Sequence, residues 1–293
     1  MEAHCFHICT REDHPIVFRN GADFRSGINI LALCLCLFPD VKLYSFELMS
    51  NHFHLLVAGE RAVIERFVSY YIRQLEHYFR CEGYDVDLSD LRPVCHPVDS
   101  QEYFRNVLVY IHRNGSSASA DCTPFSYQWG TGRFYFNPEA VARYNACRQP
   151  LSLRQRQQFS HSRRYDKICN MLYTVDNYIS PMCFCDIHEG ESMFNSQRQY
   201  MYLLTRNIES SRDIAREIGE TIALSDYELY SVVAKMSKEK FGESSGVLSP
   251  EQRMEIAKKL RYDYNAGNKQ ICRILKLSPS VVNMMFPVSG KKP

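Results

Sequence analysis

This sequence has almost no net charge: 35 lysines and arginines face 33 aspartates and glutamates, leaving +2 over 293 residues. A globally basic surface is thereby excluded, and any nucleic-acid footprint must be local. Long apolar runs are also missing. The stretch Ile28 to Phe38 is too short to span a bilayer, and Pro39 ends it. The N-terminus lacks a basic start followed by an apolar core, so no secretion signal is expected. The 12 cysteines include no C-x-x-C pair and fall inside apolar segments such as Leu33-Cys34-Leu35-Cys36. Free thiols in a reducing cytoplasm are the expectation. Cys183-x-Cys185 with His188 has zinc-binding residue types, but no second cysteine pair stands nearby to complete a site. Internal repeats and low-complexity segments are absent.

What is present supports real cores: 45% hydrophobic and 13% aromatic residues, in a length suited to about two domains. The stretch Leu43 to Val57 (LYSFELMSNHFHLLV) organises the rest. It reads as two strands around a turn at Met49-Ser50-Asn51. Side chains alternate along a strand, so His52, His54 and Leu56 share one face, and Phe53, Leu55 and Val57 the other. Two histidines at this spacing point the same way and can share a metal when a third ligand arrives. Two unrelated polar residues on a strand face are the plainer alternative. Leu55-Leu56-Val57 marks a buried strand, however, where an unpaired imidazole face needs a reason.

The flanking elements follow from periodicity. His4–Thr10 reads as a first strand, with His4 and His7 on opposite faces and so a poor ligand pair. Asp23–Phe38 reads as a helix, and 61–80 as a long helix carrying Val63, Phe67, Tyr70, Tyr71, Gln74, Leu75 and Tyr78, capped by Gly83. Leu91–Val98 reads as a strand whose prolines place it at an edge or bend. Asp99 as N-cap, with Glu102 three residues on, starts a helix that ends near Asn114. The order strand-helix-strand-strand-helix-strand plus a helix predicts an α+β fold of ferredoxin-like (RRM-like) type, an antiparallel sheet backed by helices. On the last helix Tyr110 and Asn114, four apart, share one face, beside an apolar stripe of Phe104, Leu108 and Ile111.

LMSNHFHLLV followed by Tyr110-Ile-His-Arg-Asn114 resembles the single-tyrosine HUH transposases. The REP-associated branch matches best, with its motifs LMPNHxHLL and YIHxNPVRAG. The resemblance covers about residues 1–140. It implies that His52, His54 and Asn114 hold a divalent metal, Mg²⁺ or Mn²⁺, and that Tyr110 is the nucleophile. Ser50 stands where the family usually has proline, and Gly115-Ser116-Ser117 where it has Pro-Val-Arg. The family's Trp-Ser-Ser is at best echoed by Tyr127-Gln128-Trp129-Gly130. The implied activity is metal-dependent cutting and rejoining of single-stranded DNA through a 5′-phosphotyrosine. Implied partners are single-stranded and hairpin DNA, with a homodimer left open and no membrane. The implied setting is a bacterial cytoplasm, nucleoid-associated when DNA is bound.

Beyond about Arg143 the chain changes character. Arg154, Arg156, Arg163 and Arg164 belong to a basic stretch that reads as a DNA-tracking linker or a solvated connector. Three helices are expected over Phe194–Met236, the third opening on a capping box at Ser225. Ser249-Pro250 starts a further helix. Asn268–Leu275, the turn Lys276-Leu277 and a helix from Ser278-Pro279 resemble a helix-turn-helix, with Ile271, Cys272, Leu275, Leu277 and Val282 as its core. Ser280 and Asn283 would then face bases. The expected organisation is a catalytic domain over 1–148, a basic linker and helical region over 149–245, and a DNA-binding unit over 246–293. Two rivals stand beside the transposase reading. One is a non-catalytic or domesticated nucleic-acid-binding protein on the same fold. The other is a replication initiator or relaxase, which the absence of room for a helicase disfavours.

Overall fold

Six elements in succession build the first layer: β1 (His4–Cys9), α1 (Gly21–Leu35), β2 (Lys42–Leu48), β3 (Phe53–Gly59), α2 (Arg61–Cys81) and β4 (Val94–Val98). The strands form one fully antiparallel sheet in the order β2-β3-β1-β4. The first and third strands are therefore central. β4 lies at an edge, as its prolines predict, with Pro97 opposite Phe6. The computed structural model describes residues 4–10, 16–84, 86–89, 91–115, 123–160, 172–206, 208–219, 224 and 226–287.

Local chemistry sets the ends of these elements. α1 begins at Asn20, whose Oδ1 accepts the Ala22 and Asp23 N–H groups at 2.8 and 3.2 Å, slightly ahead of the expected start. α2 ends in a Schellman turn: Gly83, at φ 76°, donates to Arg80 O at 3.1 Å, and Tyr84 donates to Phe79 O at 2.8 Å. The buried stripe of α2 comprises Ile64, Phe67, Val68, Tyr71, Leu75, Tyr78 and Phe79, so Val63 and Tyr70 lie off its centre.

The sheet has two different faces. Phe53, Leu55 and Val57 alternate toward one, where Phe53 meets the Tyr71 ring of α2 edge-on at 5.5 Å. His7, Cys9, Ser45, Glu47, His54 and Leu56 share the other, because His7↔Leu56, Cys9↔His54, Ser45↔Leu56 and Glu47↔His54 are directly opposed. α3 (Gln101–Asn114) lies on this second face, against β2 and β3. Its N-cap is Ser100 rather than Asp99: Ser100 Oγ accepts the Tyr103 N–H at 3.1 Å.

The chain continues through a 3₁₀ turn (Gly132–Phe134), α4 (Pro138–Cys147), β5 (Gln149–Pro150), α5 (Leu153–Ser160), β6 (Tyr173–Val175), β7 (Tyr178–Ile179), α6 (Ile187–Ser192) and α7 (Gln197–Arg206). β5, β6 and β7 form a second, three-stranded sheet. Leu151, Leu172 and Ile179 pack on Ala32 and Leu33 of α1, and buried Asn29 accepts the Ile179 N–H at 2.7 Å. The described part of the expected basic linker is thus folded against the first layer. All of this belongs to one compact unit, residues 1–207 with 217–220.

A second unit, residues 208–216 with 221–293, holds most of α8 (Ile208–Ile218) together with α9 (Asp226–Phe241), α10 (Pro250–Asp263), α11 (Asn268–Leu275) and α12 (Pro279–Met285). Its core is Leu229, Ile256, Leu260, Ile271, Leu275 and Val282, with Cys272 and Leu277 partly buried against it. The expected capping box at Ser225 lies outside the described residues. Cys36 is disulfide-bonded, a departure from the expectation of thiols throughout, whereas Cys5, Cys81 and Cys95 are among the free cysteines. Among the described residues no helix is long and apolar enough to cross a membrane.

Candidate active site

The motif histidines come together as their spacing predicts. His52 sits in the turn, one residue ahead of β3, and His54 is the second residue of the strand. Their rings lie 5.0 Å apart at 88°. Phe53 between them is buried on the opposite face and holds the pair in place. Tyr110 reaches the same spot from α3, its ring edge-on to His54 at 5.7 Å. Asn114 follows one helical turn later, half-buried, on the Tyr110 side of the helix.

This site is closed. His54 and Tyr110 are 0% and 1% exposed, and His52 is 8% exposed. Burial holds the His54 imidazole down at about 3, so it stays neutral at any ordinary pH. His52 Nδ1 lies 2.9 Å from Asn51 Oδ1. A carboxamide oxygen only accepts, so His52 carries its proton on Nδ1 and its lone pair on Nε2. Neutral imidazoles and one amide make a mixed N/O donor set, which would fit Mn²⁺ or Mg²⁺ and leave further coordination positions open. Among the described residues no three His, Cys, Asp or Glu side chains gather to hold a metal. A cation at His52 and His54 would therefore depend on the Asn114 amide. The same observation leaves Cys183, Cys185 and His188 without a metal site; the His188 side chain is fully exposed.

Two residues belong to the site that sequence reading missed. His7, on β1, stacks on His54 at 5.4 Å between ring centroids, with His7 Nε2 3.2 Å from His54 Nδ1. The Tyr110 ring lies 6.0 Å from it and the His96 ring of β4 6.4 Å. Burial first, then the neighbouring imidazoles, push its pKa well below the ordinary histidine value. The poor pairing of His4 with His7 is real, since His4 is exposed; the partner of His7 is on another strand. The second is Glu47, 1% exposed and directly opposite His54 on β2. Burial raises its pKa well above the ordinary carboxyl value, and a hydrogen bond from the Gly115 backbone works against that rise.

The end of α3 is built around that acid. A Cβ at Gly115 would collide with Glu47 Oε1 and with the Tyr127 ring, and one at Gly130 would sit 2.9 Å from Glu47 Oε2. The 127–131 segment runs along β2: Leu48 donates to Trp129 O at 2.9 Å, Thr131 to Phe46 O at 3.0 Å, and Tyr127 Oη to Leu48 O at 2.6 Å. His112 adds a buried clamp, with Nε2 3.0 Å from Ser45 Oγ and Nδ1 2.9 Å from Tyr200 Oη.

Arg154 is exposed on α5, but Arg156 is buried and turned inward, its Nη2 donating to Leu151 O at 3.4 Å. That arginine satisfies a carbonyl of its own unit and offers no surface cation. Arg163 and Arg164 lie outside the described residues. Ser280 and Asn283 are exposed on α12 in the second unit, with Asn283 Oδ1 accepting from Asn268 Nδ2 at 2.9 Å. No protein-family profile matches this chain, and neither a curated protein nor a solved structure is significantly similar to it.

Proposed function

We propose that the first unit is a metal-dependent single-stranded DNA endonuclease and strand transferase of the transposase type, on a ferredoxin-like sheet. The observation that carries this reading is the approach of Tyr110 to within 5.7 Å of the His54 ring, with His52 beside it, on the covered face of the sheet. The strand order, with β1 and β3 central, supports the ferredoxin-like topology. His52, His54 and Asn114 would hold the cation. When bound, a divalent cation supplies neutralisation of phosphate charge, the main obstacle to an incoming oxyanion. Tyr110 Oη attacks the phosphorus as it gives up its proton. The phosphorus–O3′ bond breaks, and the departing 3′ oxygen takes a proton. The product is a 5′-phosphotyrosine and a free 3′-hydroxyl, and attack by a second 3′-hydroxyl reverses the chemistry without ATP.

The helix pair α11–α12 is proposed as a helix-turn-helix for duplex DNA, on the observation that α11 ends in left-handed Lys276 and that Ser280 and Asn283 face outward from α12.

Burial favours a second reading. Tyr110 is 1% exposed, so a DNA strand reaches it only when the covering chain moves. A closed, non-catalytic nucleic-acid-binding protein would have no need of that movement.

Cleavage of a labelled single-stranded hairpin DNA separates the two. The transposase reading predicts cutting with Mn²⁺, none in EDTA, and a loss of at least about 100-fold in His54→Ala with the fold kept. DNA binding with no cutting under any metal supports the second reading.

A further inference from the structure

Whether His54 can hold a cation depends on which of its nitrogens carries the proton. Its Nδ1 lies 3.2 Å from His7 Nε2. Two nitrogens at this distance share one proton, which leaves two arrangements for neutral rings. In one, His7 Nε2–H donates to His54 Nδ1; His54 then carries its own proton on Nε2 and has no lone pair to give. In the other, His54 Nδ1–H donates to His7 Nε2, and the Nε2 lone pair of His54 is available. Only the second is compatible with a metal.

We propose that His7 is the positioning residue of this site: by accepting the Nδ1 proton of His54 it fixes the tautomer and the ring orientation that metal binding needs. The inference rests on the metal-site reading above. Histidine ligands generally donate their second N–H to an acceptor, usually a carboxylate or carbonyl, and the acceptor sets both tautomer and orientation. For His52 that acceptor is Asn51 Oδ1. Here an imidazole takes the role for His54, and the fold gives it no freedom. β1 and β3 are hydrogen-bonded neighbours, with Cys9 opposite His54 and His7 one step further along the same face. Both rings are fully buried and stacked at 25°. His7 Nδ1 has no hydrogen-bond partner among the described residues, so the proton that His7 carries there while accepting at Nε2 is unpaired, a cost that a cation bound at His54 Nε2 would have to offset.

The test uses the full chain, with Mn²⁺ affinity read from the electron paramagnetic resonance of free Mn²⁺ and histidine tautomers from ¹⁵N NMR with Mg²⁺. His7→Phe removes the acceptor while keeping a ring. It should weaken Mn²⁺ binding by about 10- to 100-fold. His7→Gln, whose side-chain oxygen can accept the same proton, should restore most of that affinity. In the Mg²⁺-loaded wild type the His54 proton should sit on Nδ1. Unchanged Mn²⁺ affinity in a folded His7→Phe protein overturns the role of His7 and leaves the metal site standing. If His7→Phe does not fold, the NMR measurement decides, and a His54 proton on Nε2 overturns the proposal. A wild type that binds no Mn²⁺ overturns the metal-site reading and this role with it.

Discussion

Glu47 shows how one residue can carry a cost for its neighbourhood. It is a carboxyl buried to 1% exposure, with a pKa raised well above normal by desolvation. A raised folded pKa means that the stability tied to the protonated group is complete below the unfolded value, near 4.5, and is lost as pH rises toward the folded value. The slope over that range is about 1.4 kcal/mol per pH unit. Glu47→Gln mimics the neutral acid and removes the loss. Chemical denaturation should therefore show the variant more stable than wild type at pH 8 and nearly equal at pH 4; a destabilised variant at pH 8 would mean that Glu47 is charged and paired. His54 and His112, both lowered to about 3 by burial, act in the opposite sense: their contribution is complete above about 6.5 and is lost as pH falls toward 3. At this scale the sequence was only partly legible. His52, His54 and Tyr110 could be read because each motif is local. His7 and Glu47 could not, because they reach the site through strand pairing across 47 residues and across the β2–β3 hairpin. Gly115 stands where the resembling family has proline, and the structure gives the reason in this chain: its N–H serves Glu47, and no side chain fits there.

The elements themselves were read well wherever a cap or a periodic stripe was strong. α11 runs from Asn268 to Leu275 and α12 starts at Pro279 as their sequence predicts, and Ser249 forms a full capping box with Gln252. Failures were of two kinds. N-caps slipped by a residue or more, as at Ser100, because adjacent Asp and Ser can both cap. The short strands β5, β6 and β7 went unseen because two or three residues carry no periodicity, and only packing on α1 makes them strands. Within the second unit, Lys276 pays for its turn with φ 51° and ψ 39°, a left-handed conformation that costs a non-glycine residue about 1 kcal/mol. Lys276→Gly should stabilise this unit by about 0.5–1 kcal/mol, visible as a rise of a few degrees in its thermal midpoint. A fall in the midpoint would show that the lysine side chain contributes more than its backbone strain costs.

For the molecule as a whole, the boundary matters most. A composition shift near Arg143 suggested that the first domain ends at 148, yet the first compact unit runs to residue 207. Composition misled because a basic, polar surface can cover a buried inner face. Leu151, Leu172 and Ile179 complete the outer side of α1, and Tyr200 closes the hydrogen bond of His112. A chain cut after residue 148 would expose those apolar faces and leave the buried His112 Nδ1 without its partner. It should aggregate or melt without cooperativity, whereas a chain cut after residue 207 should fold with a cooperative transition. Cooperative folding of 1–148 in calorimetry would restore the shorter boundary.

Tyr110, the proposed nucleophile, stands against the histidine pair proposed to bind the metal. A covalent protein–DNA adduct is the direct signature of that role. The full-length protein is incubated with Mn²⁺ and a radiolabelled hairpin DNA carrying a single-stranded flank, denatured, and resolved on a gel, with the modified peptide identified by mass spectrometry. A protein–DNA band should form and should vanish in Tyr110→Phe and in EDTA, with the nucleotide on Tyr110 through its phenolic oxygen. Cleavage with no adduct, or an adduct on another tyrosine such as Tyr70, Tyr71 or Tyr103, would contradict that role.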